Sequence, residues 1–517
     1  MRVVEEQSDL THEQTLTQLH ARFDRDILFT CRRHIPLTSW LTNNSGPYAR
    51  VTETTTTAPV TTWPSPGIQQ NNANNEQVLP AYADVNMVLY STNFVYVRSS
   101  DLASHRMGPW YKEYAKINVN GLWPENRSLT SKIPRFPTPA ASPNQVSQGP
   151  VGVLVNGVTI ANLGDGSGYK TATGQDGGIP GGGVPGNQTD VWIRCATGAE
   201  GPILDGGFGH PAPDGGYHYH ANPRALRLQL GDNLSYNPTN DIYTEATSNL
   251  HHSRLLGWAY DGYPIYGPYG YSSAMNSNSP IRRMVSGHVP RDGSFGTANL
   301  NTTGRHSLAP WAALFHTFTA TQGTNDYELT GTSYGPNVSA SFPIGWYAED
   351  FDFLGERIKA STGTNYQQGV DYDLDKPNGR QCVTPEFPGG TYAYFIPIDA
   401  NGAPAFPYSI GRYWYGNNTG GRVVNGNITQ TVITNFVGGP NAELRLATPA
   451  VSNSVVTLVW SATEGGTYRV EAAGNLSTCT TNATGVAAVL NRGTVSTPVT
   501  TNQYFRITRT GLAPYDP

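Results

Sequence analysis

Apolar positions along the central chain recur with a period of two. Val85, Met87 and Leu89 alternate with Asn86 and Val88, and residues 94–97 are β-branched or aromatic, so two strands are expected after about residue 81. Residues 151–155 and 158–161 flank Asn156-Gly157 and predict a hairpin, with Asn-Gly supplying the positive φ angles of a tight type I′ turn. The glycine-rich run 164–187 is expected to be loop. Strand and turn signals continue to about residue 430, with short helices only, such as 310–316. A helical period appears near the start. Thr11 and Gln14 have capping-box spacing, and Leu16, Leu19, Phe23 and Ile27 follow at helical intervals. Residues 455–460, 467–471 and 504–508 alternate again around Gly465-Gly466, at the spacing of a small β-sandwich.

These patterns divide the chain into three parts. Residues 1–80 read as an N-terminal helix followed by a Thr/Asn/Pro-rich arm or linker. Residues 81–440 form the main β domain, and 447–517 a C-terminal β-sandwich appendage without histidine. The expected fold is mainly β, a sandwich-like core with long loops plus the small appendage. Inside the main domain a short echo suggests two similar units. The run 214–220 (DGGYHYH) recurs as 388–394 (PGGTYAY), and each is followed by an aromatic-proline segment, at 263–267 and 406–408.

Composition narrows the function classes. Only 14% of the 517 residues are charged and the net charge is −5, which lacks the basic field of a nucleic-acid binder. No apolar run is long enough for a membrane span. Four cysteines cannot form a disulfide framework. Residues 1–43 lack the pattern of a signal peptide. Few charges and much Thr, Asn and Gly nonetheless lean towards a secreted or cell-surface protein.

The chemistry concentrates in the histidines. Five of twelve fall within residues 210–252: His210, His218, His220, His251 and His252. Residues two apart in a strand point to one face, so His218 and His220 would stand side by side while Tyr217 and Tyr219 pack behind. Such a pair is a ready chelate for a borderline or soft divalent ion. A turn through Asp214–Gly216 would bring His210 near them. His105 is a further candidate ligand. His251 and His252 are adjacent and face opposite ways, so at most one joins, and His252 is the candidate. Asp261 could orient a ligand imidazole or cap its own turn. With imidazoles and no thiolate pair, copper or zinc is favoured; Cys195 has no Cys-x-x-Cys context. Asp371, Asp373 and Asp375 resemble the start of a calcium loop, but Lys376 and Cys382 occupy the glycine and glutamate positions, which excludes an EF-hand and leaves room only for a looser structural calcium site.

The runs Gly209-His210-Pro211, Gly216-Tyr217-His218-Tyr219-His220 and Gly257-Trp258-Ala259-Tyr260-Asp261-Gly262-Tyr263-Pro264 closely resemble the YHYH-domain family. So do His105-Arg106-Met107-Gly108-Pro109, Asn156-Gly157 and the stretch from Asn378-Gly379-Arg380 to near Gly416. The resemblance implies an exported protein with the histidine cluster as its hallmark and carries no established activity. Where many relatives have a cysteine before Gly-His-Pro, this chain has Gly207-Phe208. A looser resemblance is to the His-x-His strands of multicopper oxidases; the other His-x-His elements are missing, so it implies one copper at most. Two readings follow. One is an exported copper or zinc protein with oxidative or metal-handling activity towards an extracellular polymer or small molecule. The other is a non-catalytic surface protein for adhesion or glycan binding, its aromatics stacking on sugars.

Overall fold

The computed structural model describes residues 36–42, 48–52, 58–63, 77–110, 122–179, 191–423, 427–438, 449–461, 467–473, 480–487, 492–498 and 504–511. The expected helix over residues 11–27 lies outside them. The protein is mainly β, as its patterning predicts, with short helices. Among the described residues no helix is long and apolar enough to cross a membrane.

The centre is an eight-stranded sheet in the order Gly209–Pro211, Tyr217–Tyr219, Thr159–Ala161, Pro150–Leu154, Leu255–Ala259, Pro264–Tyr266, Thr391–Phe395 and Gly379–Cys382. Its two halves have one topology. In each, a hairpin (Pro150–Leu154 with Thr159–Ala161, or Leu255–Ala259 with Pro264–Tyr266) is antiparallel. Its second strand runs parallel to the last strand of a later hairpin. The halves meet where Pro150–Leu154 and Leu255–Ala259 pair antiparallel, as a two-fold relation requires.

Local details repeat as well. Gly157 (φ 78°) and Gly262 (φ 92°) close the first hairpins. Each is preceded by a side chain, Asn156 or Asp261, that accepts from the amide two residues on, at 3.2 Å in both cases. Of Asn156 and Gly157 only Gly157 has positive φ, and Leu154 N–H donates to Val158 O. The turn is therefore a three-residue loop with a left-handed glycine, not the expected two-residue type I′ turn.

The repeat corrects the register of the sequence echo. Across the outer hairpins Gly209 faces Tyr219 and His210 faces His218, while Gly379 faces Tyr394 and Arg380 faces Ala393. Tyr217 and Tyr219 thus correspond to Tyr392 and Tyr394, one residue away from the sequence match. A one-residue slip exchanges the two faces of a strand. The segment 263–267 belongs to the second half rather than following the first half's hairpin.

A five-stranded sheet (Gly421–Arg422, Leu129–Pro134, Phe94–Ser99, Val85–Tyr90, Ile433–Val437) shares a large apolar core with the central one. That core also holds Trp40, Val51 and Trp63. Parts of residues 1–80 therefore pack into the core of the main domain. Part of the glycine-rich run is strand too. Gly164–Lys170 pairs with Gln175–Gly178 and Val191–Cys195. Glycine is needed there, because a Cβ on Gly168 would fall 2.3 Å from the Trp192 carbonyl oxygen. The C-terminal unit is two three-stranded sheets around a separate core of Val456, Leu458, Trp460, Tyr468 and Val470.

Candidate metal centre

The first outer hairpin carries three histidines on one face. His210 and His218 are cross-strand partners and His220 follows two residues on. Their ring centroids lie 4.5 Å (His210–His218), 4.8 Å (His218–His220) and 5.6 Å (His210–His220) apart. One ring nitrogen from each lies within 4.8 Å of the others, so the triad could hold a metal ion. It borders a cavity of about 340 Å³ lined also by Thr159, Asp165, Glu200 and Arg422.

Backbone carbonyls set the tautomers. His218 Nδ1 is 3.1 Å from Gly216 O and His220 Nδ1 is 2.9 Å from Asn162 O. A carbonyl only accepts, so both Nδ1 atoms carry a proton, and in the neutral rings both Nε2 lone pairs face inward, 3.0 Å apart. Both nitrogens of His210 are buried without a hydrogen-bond partner. Glu200 lies at the end of the short helix Ala196–Glu200. Its Oε2 approaches His220 Nε2 at 3.0 Å and His210 Nε2 at 3.3 Å, yet it too is buried without an aligned hydrogen bond.

The electrostatics follow from this crowding. Burial, then the neighbouring imidazoles, hold His218 well below the usual histidine range. Burial pulls His220 down as well, but the Glu200 carboxylate outweighs it and the net shift is upward. Burial raises the Glu200 carboxyl, and His220 and His210 reverse this, holding it far below the usual carboxylate range.

The opposite face of the hairpin is a clamp. Tyr217 Oη donates to Asp205 Oδ2 at 2.7 Å. Asp205 also accepts from the amides of Gly108 at 2.9 Å, Gly207 at 2.9 Å and Gly209 at 3.0 Å. The loop leading to His210 is thus tied to the strand that bears His218. His105 sits on this rear face: its Nδ1 contacts Arg106 O at 2.9 Å and its Nε2 contacts Tyr219 Oη at 2.6 Å. The structure therefore does not bring His105 to the triad, because it meets Tyr219 and successive side chains of a strand diverge.

His252 and Asp261 belong to the second half. His252 packs against Tyr271 at 4.9 Å, Tyr266 at 5.2 Å and Phe395 at 6.0 Å, and burial pulls it down to about 4. Phe395 is the counterpart of His220, so His252 lies at the counterpart of the metal centre, not in it. Asp261 accepts from Tyr394 Oη at 2.6 Å and from the Gly416 amide at 2.9 Å. It caps its turn, and burial pushes it up to about 6.

The acidic run is engaged by the protein. Asp373 takes two bonds from Arg282 at 2.6 and 2.7 Å, Asp371 pairs with Lys359 at 2.5 Å, and Asp375 accepts from Tyr392 Oη at 2.8 Å. Cys195 and Cys382 are buried free thiols. Sequence reasoning missed Glu200. No spacing signal marks it, since a loop and a turn of 3₁₀-helix separate it from His210; only the fold brings it to the rings.

The fold is thus a β-rich one with a two-fold-repeated sheet, and one half carries a histidine triad that could hold a metal ion. The model of the YHYH protein family matches residues 130–406, more than half of the 517 residues, and the chain belongs to that family. The matched span contains the triad and Glu200 and ends before the C-terminal unit. No curated protein and no solved structure matches the chain.

Proposed function

We propose that this is an exported metal-binding YHYH protein in which His210, His218 and His220 hold one copper or zinc ion beside a solvent-open cavity. One observation carries the reading. The His218 and His220 Nε2 lone pairs, the unpartnered His210 and the anionic Glu200 converge, and such a cluster of acceptors needs a cation at its centre. One proton bridges only two of them. The imidazole-rich donor set suits copper or zinc rather than calcium or magnesium.

The internal repeat supports the same reading. The second half builds the same hairpin with Arg380, Ala393 and Phe395 where the first has His210, His218 and His220. The fold therefore does not require the imidazoles, which supports a ligand-binding role for them. Beside the cavity, the ion would serve metal handling or oxidative chemistry on an extracellular polymer or small molecule. Calorimetric titration of chelator-stripped protein with zinc and with copper tests this. One site per chain is expected in the wild type and none in the H218A/H220A variant. Equal binding by the two proteins overturns the proposal.

A further inference from the structure

We propose that Glu200 is a fourth protein ligand, closing a three-histidine, one-carboxylate set around a single divalent ion. The inference rests on the triad reading above and adds a donor to it. For a tetrahedral ion with bonds of about 2.0–2.1 Å, neighbouring donors lie about 3.3 Å apart. Glu200 Oε2 stands 3.0 Å from His220 Nε2 and 3.3 Å from His210 Nε2, and His220 Nε2 stands 3.0 Å from His218 Nε2. Three of the six separations of such a set thus match one centre.

Among the described residues Glu200 Oε2 has no aligned hydrogen-bond partner. The guanidinium of Arg194 is committed to Asp165 at 2.5 Å and Asp176 at 3.0 Å. The Glu200 side chain keeps 20% exposure and lines the same cavity as the three histidines. A carboxylate there makes the bound site one charge less positive than three neutral imidazoles would, which favours retention of a divalent ion over a monovalent one.

E200A and the isosteric E200Q test the assignment. Each is stripped and titrated with zinc, and loaded with cobalt, whose visible spectrum reports coordination. Both variants should keep one site per chain with zinc affinity weakened about 10–100-fold, and their cobalt bands should differ from the wild type. Wild-type zinc affinity and wild-type cobalt spectra in both variants overturn the role of Glu200. If H218A/H220A still loses the ion in that case, the triad stands and this inference alone fails. If H218A/H220A retains the ion, the triad itself is refuted.

Discussion

Gly209→Ala probes the coupling between the rear clamp and the three imidazoles. A Cβ on Gly209 would lie 2.1 Å from Tyr217 Oη and 2.2 Å from its Cζ. The phenol is fully buried, so the new methyl must displace it. Overpacking of this kind costs about 1–3 kcal/mol. Displacement also breaks the 2.7 Å bond to Asp205, worth about 1–3 kcal/mol more. The summed loss is about 2–6 kcal/mol. The repeat provides an internal control: a Cβ on Gly379 would fall 2.4 Å from Tyr392 Oη, which donates to Asp375 at 2.8 Å. Gly379→Ala should therefore cost a similar amount of stability. Only Gly209 adjoins the triad, since His210 follows it and Tyr217 precedes His218. Urea unfolding of the metal-free proteins should show comparable destabilisation in both variants, and zinc titration a tenfold or larger affinity loss in G209A alone. Wild-type stability in G209A, or an equal loss of zinc affinity in G379A, would refute the reasoning.

Three more outcomes are expected. Burial pulls His288 down to about 4 from 6.5, so the unfolded chain binds the extra proton between those values. The stability held above about pH 6.5 is then lost as the pH falls towards 4, by about 3 kcal/mol, and H288F should flatten that part of the pH–stability curve. Arg305 and Asp350 form a fully buried two-bond pair at 2.6 and 2.8 Å; D350N should cost about 3–5 kcal/mol in denaturant unfolding. H218A should change the stability of metal-free protein by no more than about 1 kcal/mol, because Ala393 occupies the same register position in the second half, while metal binding is lost.

The parts legible in the sequence are those set by short-range periodicity. The alternation over 85–89 gives the strand Val85–Tyr90, and Asn156-Gly157 marks a true hairpin. The side-by-side imidazoles of His218 and His220 follow from the two-residue period alone, and His210 from the turn between. What was not legible depends on long-range packing. His105 lies more than a hundred residues before the triad, and only the sheet shows that it meets Tyr219 from behind. Glu200 reaches the rings through a loop whose path no periodicity encodes. The repeat was visible but misregistered by one residue, because Gly-Gly can be aligned two ways while only hydrogen bonding fixes which tyrosine faces which glycine. In 164–178 the glycines suggested loop, whereas they permit close strand approach at Gly168.

The central claim is that the imidazoles of His210, His218 and His220 share one metal ion. The most direct measurement is elemental analysis of full-length protein purified without added metal, joined to x-ray absorption at the edge of whichever metal is found. The account predicts close to one equivalent of copper or zinc with scattering from imidazole nitrogens. Protein that carries neither metal, and takes up neither when it is supplied, would contradict it.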